Sequence, residues 1–234
     1  MNKQYAVFDW DNTVRDGFTL FDWIDYLVNR GVLTEEIQVA IDTLSDKYKA
    51  GLLSHDEYAH LACKTYAKGI NGLRVDFIME IAHQYIEQDR CHIFHGMEEI
   101  FGYLKKSGIE VMVISGAPKI ILDFYKKEFH IREIFAFKER VENGRFAGRA
   151  SYNYGYNKKK TIAQLKDKYG TKPLLGFGDS DSDIPLLKEA TYAFSINTNI
   201  ENAMRIDIVN HSIQKKYIDQ IIHIMQTNKK EDEG

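Results

Sequence analysis

Three short apolar runs, YAVFDW (5–10), VMVISG (111–116) and LLGFGD (174–179), each close on a small, acidic or aromatic residue and lead toward a stretch of helical periodicity. Such runs read as buried strands. Strands that alternate with helices build a mostly parallel sheet, and right-handed crossovers bring the C-terminal ends of the strands to one edge. The fold class expected is therefore α/β. Two weaker strands, IFAFK (134–138) and YAFSIN (192–197), extend the same sheet. Ligands of open α/β sheets bind at that C-terminal edge.

The interval between the first two strands breaks the alternation. From about Phe18 to Gln88 the pattern is helical throughout, with one apolar stripe at Phe21, Ile24, Leu27 and Val28 and a second at Ile37, Ile41, Leu44 and Tyr48. Ser54 and Glu57 have capping-box spacing ahead of Tyr58, Leu61 and Ala62, with Gly69 read as the stop, and Ile78, Ile81, Ala82 and Tyr85 close the set. Four consecutive helices between two strands of one sheet imply an inserted bundle lying over the acidic edge. The division expected is a core of residues 1–14 and 91–228, a helical cap of residues 15–90, and a charged tail, 229–234, without fixed structure. Gly96 to Lys106 reads as a core helix stopped by Gly108, and Asn143-Gly144 as a hairpin turn.

Charge narrows the class of partner. With 28% charged residues and a net charge of -3, the chain carries no strong field, and the run Lys158-Lys159-Lys160 stands alone among mixed charges. Nucleic acid is not expected as a partner. Two cysteines, Cys63 and Cys91, give no disulfide framework. The N-terminus meets acid too early for a secretory signal and no apolar run approaches spanning length, so a cytoplasmic protein without a membrane partner is expected.

The strand ends hold the chemistry. The first supplies Asp9 and Asp11, the second Ser115 and Gly116, and the third Asp179 with Asp183 four residues on. On a strand, residues i and i+2 point to one side. Two carboxylates so placed repel and lose hydration, which a chain tolerates when a cation sits between them. Ser115 also reads as a cap for the helix that Pro118 starts. Asp181, between the other acids, is expected to be exposed.

The order DxDxT, then Ser in SGA, then Lys, then GDxxxD resembles the four motifs of the haloacid dehalogenase-like hydrolase superfamily, and the helical insert resembles its phosphoserine-phosphatase-like branch. The resemblance implies a Rossmann-like core and a Mg²⁺-dependent phosphatase acting on a small phosphorylated metabolite. It makes Asp9 the nucleophile that forms an aspartyl-phosphate, and Asp11 the acid toward the leaving oxygen and then the base toward water. It assigns Mg²⁺ to the Asp9 and Asp179 carboxylates and the Asp11 main-chain carbonyl, with Asp183 in support, and the phosphate to Ser115, Gly116 and a lysine. Lys158 best fits the spacing to Ile162 and Leu165, with Lys159 in reserve.

A phosphoserine phosphatase, a phosphotransferase or phosphomutase, and a non-catalytic phosphate-binding module are the alternatives. Serine phosphatases of the branch carry glutamate where this chain has Phe18, and asparagine where it has Ser182, which weakens phosphoserine as substrate.

Overall fold

The computed structural model describes residues 4–232. Its first strand, β1 (Tyr5–Phe8), is followed by four helices, α1 (Thr19–Asn29), α2 (Glu35–Lys49), α3 (His55–Gly69) and α4 (Val75–Asp89). Alternation then begins: α5 (Met97–Lys106), β2 (Glu110–Pro118), α6 (Lys119–Glu128), β3 (Ile131–Glu142), β4 (Arg145–Tyr152), α7 (Lys158–Tyr169), β5 (Leu175–Gly178), α8 (Ile184–Glu189), β6 (Tyr192–Ile196) and β7 (Met204–Ile206). A two-stranded ribbon, β8 (Ile208–Val209) with β9 (Ser212–Ile213), precedes α9 (Lys215–Asp232).

Seven strands form one sheet in the order β4-β3-β2-β1-β5-β6-β7. Every pairing in it is parallel except β3 with β4. β1 is central, so its C-terminal end is flanked by the ends of β2 and β5. The reason lies in the sequence: both faces of the inner strands are apolar, as a sheet covered on both sides requires. Ala6, Phe8, Val111 and Val113 pack into one layer, while Tyr5, Val7, Met112 and Ile114 pack into the other with Ile162 and Leu165 of α7.

The first layer runs without interruption into the inserted helices, where Trp23, Ile24, Leu27, Tyr66 and Ile78 belong to the same core. The β3–β4 hairpin also reaches these helices. Its turn places Asn143 and Gly144 at φ 50° and 73°, the left-handed pair that a two-residue hairpin favours. Past the turn, Phe146 exchanges main-chain hydrogen bonds with the loop after α3, donating to Leu73 and accepting from Gly72.

Two local readings change. Gly69 is the last residue of α3 rather than a left-handed stop. A Cβ there would lie 2.9 Å from Leu33, so glycine serves close helix packing, and the left-handed turn falls at Gly72. The backbone of 229–232 is helical where an unstructured tail was expected, because α9 continues unbroken; positions 233 and 234 of that tail lie outside the described residues. Among the described residues, no helix is long and apolar enough to cross a membrane.

Candidate active site

β1 ends at Phe8, one residue before Asp9, whose N–H still donates to Phe177 of β5 at 2.9 Å. The chain then turns. The Trp10 carbonyl accepts from the N–H groups of Thr13, Val14 and Arg15, and Asn12 takes φ 56°. Asp9 and Asp11 are therefore not an i, i+2 pair on a strand, as the sequence suggested. The turn separates them, and Trp10, fully buried against Tyr125 and Phe129, anchors it.

Oxygens of Asp9, Asp179 and Asp183 come within 4.8 Å of one another. The Lys158 ammonium joins the group, 3.0 Å from Asp9 Oδ1 and 2.6 Å from Asp183 Oδ1. Lys158 opens α7, where a cation opposes the helix dipole. Asn157 caps that helix by accepting from the Lys160 N–H, while Lys159 and Lys160 stay exposed. Burial alone would lower the Lys158 pKa, but Asp183 and Asp9 outweigh it and hold it above its ordinary value.

Asp183 is fully buried, and its Oδ2 accepts from the N–H groups of Asp179 and Ser180 and from the Ser180 hydroxyl. With Lys158 on Oδ1, this carboxylate is saturated by the chain itself. It sits against Gly178, where a Cβ would fall 2.4 Å from the Asp183 Cβ. Asp179 has freer oxygens, meeting a long bond of 3.5 Å from the Thr13 hydroxyl. Burial, then Asp183, push the Asp179 carboxyl up to about 7, and burial with the same neighbour pushes Asp9 up strongly, against the pull of Lys158. Asp181 is exposed.

The Asp11 carboxylate stands apart from this cluster. It accepts from the N–H of Thr19 at 3.0 Å and from the Thr19 hydroxyl, and burial raises its pKa against the pull of Arg15 and Thr19. Ser115 is buried, and its Oγ accepts from the N–H of Ala117, which leaves the hydroxyl proton to donate elsewhere. It does not cap α6. That helix starts at Lys119 with Pro118 as its N-cap, because β2 runs on through Pro118. Gly116 is overlain by Gly155, where a Cβ would come within 2.3 Å of the Gly116 nitrogen.

Asp9, Asp11, Ser115, Gly116, Lys158 and Asp179 all line one cavity of about 530 Å³ between the strand ends and the inserted helices; Asp183 lies behind it. The ammonium bonds two of the three clustered carboxylates, Asp9 and Asp183, and the atoms that Asp9, Asp179 and Asp183 offer a cation are all oxygen. That set suits Mg²⁺, a hard cation that takes few carboxylates.

Sequence reasoning did not reach Arg15. Fully buried, it donates to Asp89 at 2.9 and 2.7 Å, to the Asp16 carbonyl at 2.8 Å, and to Asp22. Tyr85 and Tyr125 donate to the same Asp89. The turn after β1 is thereby tied to α1, α4 and α6. A lone arginine in an acidic, polar turn was the one available signal, and its partner lies 74 positions away.

The profile of the haloacid dehalogenase-like hydrolase family matches residues 6–188. A phosphoserine phosphatase of Archaeoglobus fulgidus is 24% identical over 218 residues, 92% of this chain, and the chain spans 57% of that relative's length. Among solved structures, a protein of unknown function from Bordetella pertussis Tohama I is similar with a TM-score of 0.74 at 16% identity, over 89% of this chain and all (100%) of that one. A phosphoserine phosphatase solved as a phospho-aspartyl intermediate analogue is similar with a TM-score of 0.65 at 18% identity, over 94% and 99%. The chain shares its fold with phosphoserine phosphatases and belongs to the haloacid dehalogenase-like hydrolase family.

Proposed function

We infer that this protein is a Mg²⁺-dependent phosphatase that hydrolyses a small phosphomonoester through an aspartyl-phosphate on Asp9. The observation that carries the reading is the pairing of Asp9 with a buried lysine at the floor of a cavity that also holds a second, separately held acid, Asp11. A relative that is itself a phosphoserine phosphatase supports it.

In the first half-reaction an Asp9 oxygen attacks phosphorus, and the bond from phosphorus to the substrate's alcohol oxygen breaks. Asp11 gives its proton to that leaving oxygen, a role suited to a carboxyl whose burial favours the neutral form. In the second, Asp11 takes a proton from water as the water oxygen attacks phosphorus, which frees phosphate and restores Asp9. Thr19 holds Asp11 in line for both steps.

The Ser115 hydroxyl, the Gly116 N–H and the Lys158 ammonium bind the phosphoryl oxygens. Asp9, Asp179 and the Asp11 carbonyl would hold Mg²⁺, with Asp183 orienting Lys158 and the Asp179 loop. The chemistry a bound Mg²⁺ supplies is neutralisation of charge between nucleophile and phosphoryl group. Helices α1 to α4, residues 15–90, act as the cap that excludes bulk water.

The test is phosphate release from a panel of small phosphate esters, with Mg²⁺ and with chelator, beside Asp9→Asn. Chelator-sensitive turnover that the variant lacks is expected. An active Asp9→Asn protein would remove the nucleophile assignment, and silence on every ester, a generic aryl phosphate included, would remove the phosphatase reading.

A further inference from the structure

Beyond its acidic floor the cavity carries a cluster of aromatic rings. On the cap side, Phe21 stacks on Tyr58 with ring centroids 5.3 Å apart, and Tyr58 stacks on Tyr48 at 5.1 Å with the planes 3° apart. Phe18 meets Phe21 edge-on at 5.9 Å and leaves 47% of its surface open. On the core side, Tyr156 lies 5.3 Å from His60 and is 56% exposed. These rings all line the same cavity as Asp9.

The charges of the cavity are equally one-sided. Among the described lining residues, the carboxylates are Asp9, Asp11 and Asp179, all at the phosphate end. Among the described residues, the remaining wall offers one full cation, Lys49, and two histidines, His55 and His60. Burial, with Lys64 nearby, lowers the His60 pKa, which favours its neutral ring. Among the described lining residues of that wall, no carboxylate replaces the hydration a substrate ammonium would lose, which disfavours it. A cavity of about 530 Å³ is of the size that encloses a ring-sized ligand.

The geometry points to a phosphomonoester whose alcohol carries a planar aromatic or heteroaromatic ring and no ammonium group, the ring lying against Phe18 and the Phe21–Tyr58–Tyr48 stack. This rests on the phosphatase reading above and specifies its substrate class. Ring-on-ring contacts stabilise a complex beyond the apolar area they bury.

The experiment compares benzyl phosphate, propyl phosphate and O-phosphoserine on the Mg²⁺-loaded protein. The two alkyl esters differ mainly in the ring. We expect kcat/KM for benzyl phosphate at least about tenfold above that for propyl phosphate, with O-phosphoserine the poorest of the three; tenfold corresponds to 1.4 kcal/mol. Phe18→Ala, which trims an exposed ring, should pull the benzyl-to-propyl ratio several-fold toward one, and Tyr58→Leu should do the same. A variant that is merely less well folded lowers both rates and leaves the ratio unchanged. Turnover of all three esters at similar efficiency, or a preference for O-phosphoserine, overturns the ring assignment while the phosphatase reading stands. Wild-type ratios that survive both substitutions overturn it too. If no ester is hydrolysed, the aryl phosphate of the preceding test included, the phosphatase reading falls and the ring assignment with it.

Discussion

The ammonium of Lys158 is bonded to the carboxylate of Asp183 at 2.6 Å, and both side chains are buried. Asp183 thereby fixes the direction from which Lys158 approaches Asp9. A cation aimed at a developing charge in a water-poor site commonly contributes a factor of about 10²–10³ to rate. Lys158→Ala is expected to lose that much in kcat, whereas Lys159→Ala, on the exposed face of α7, should stay within about twofold. Steady-state assays of the two variants, each checked for a native melting transition, decide between them. Two small losses would mean that the lysine acts in folding alone.

Asp11→Asn should lower turnover by about 10²–10⁴. The loss should depend on the leaving group. Esters of ordinary alcohols need the proton and should suffer most, while an aryl phosphate with an acidic phenol should suffer least in the first half-reaction. Rates across a series of leaving groups provide the check, and a uniform loss would deny Asp11 its role as acid.

Asp89→Ala removes the fully buried partner of Arg15, leaving that guanidinium only the more exposed Asp22 and the Asp16 carbonyl, and strands two tyrosine hydroxyls. Such losses cost about 3–5 kcal/mol. Urea denaturation should show a lower midpoint with an unchanged slope. A change below about 1 kcal/mol would show that the network at the base of the cap is not structural.

Glu139 of β3 is buried, and burial, opposed by a hydrogen bond from Tyr66, pushes its carboxyl up from 4.5 to about 7. Below pH 4.5 the folded and unfolded chains are both protonated there. Between 4.5 and 7 only the unfolded chain gains from ionisation, so stability falls as pH rises and is level above 7. The gap between the two values corresponds to about 3 kcal/mol. Glu139→Gln should therefore be more stable than the parent protein at pH 8 by up to that amount, relative to their difference at pH 4. Melting curves at the two pH values test this, and a pH-independent difference would refute it.

Much of this architecture is written locally. The apolar runs at 5–10, 111–116 and 174–179 do become β1, β2 and β5, and the stripes at Ile24, Ile41, Ala62 and Ile81 face the core as helical spacing requires. Ser54 and Glu57 form the capping box their spacing implies. What local pattern could not supply was the path of the chain between elements. The turn at Trp10 depends on one carbonyl collecting three N–H groups, which moves Asp11 off the line of Asp9. Ser115 gave no sign that β2 would run past it to Pro118. The need for glycine at 155 and 178 arises only from what packs over them, a Gly116 main chain and an Asp183 side chain.

Sheet order carries a last consequence, for how the protein comes into being. Thr13 and Asp179 meet at the site although 166 positions separate them, and β5 must dock beside β1 before they can. Contacts of such long sequence separation form slowly, because the loop between them must close first. A nascent chain still lacking α7 and β5 would already contain Asp9, Asp11 and all four inserted helices, yet have neither Lys158 nor Asp179. On the proposed function, catalytic competence is thus withheld until the chain has been made past Asp179, and the appearance of activity during refolding would time the docking of β5.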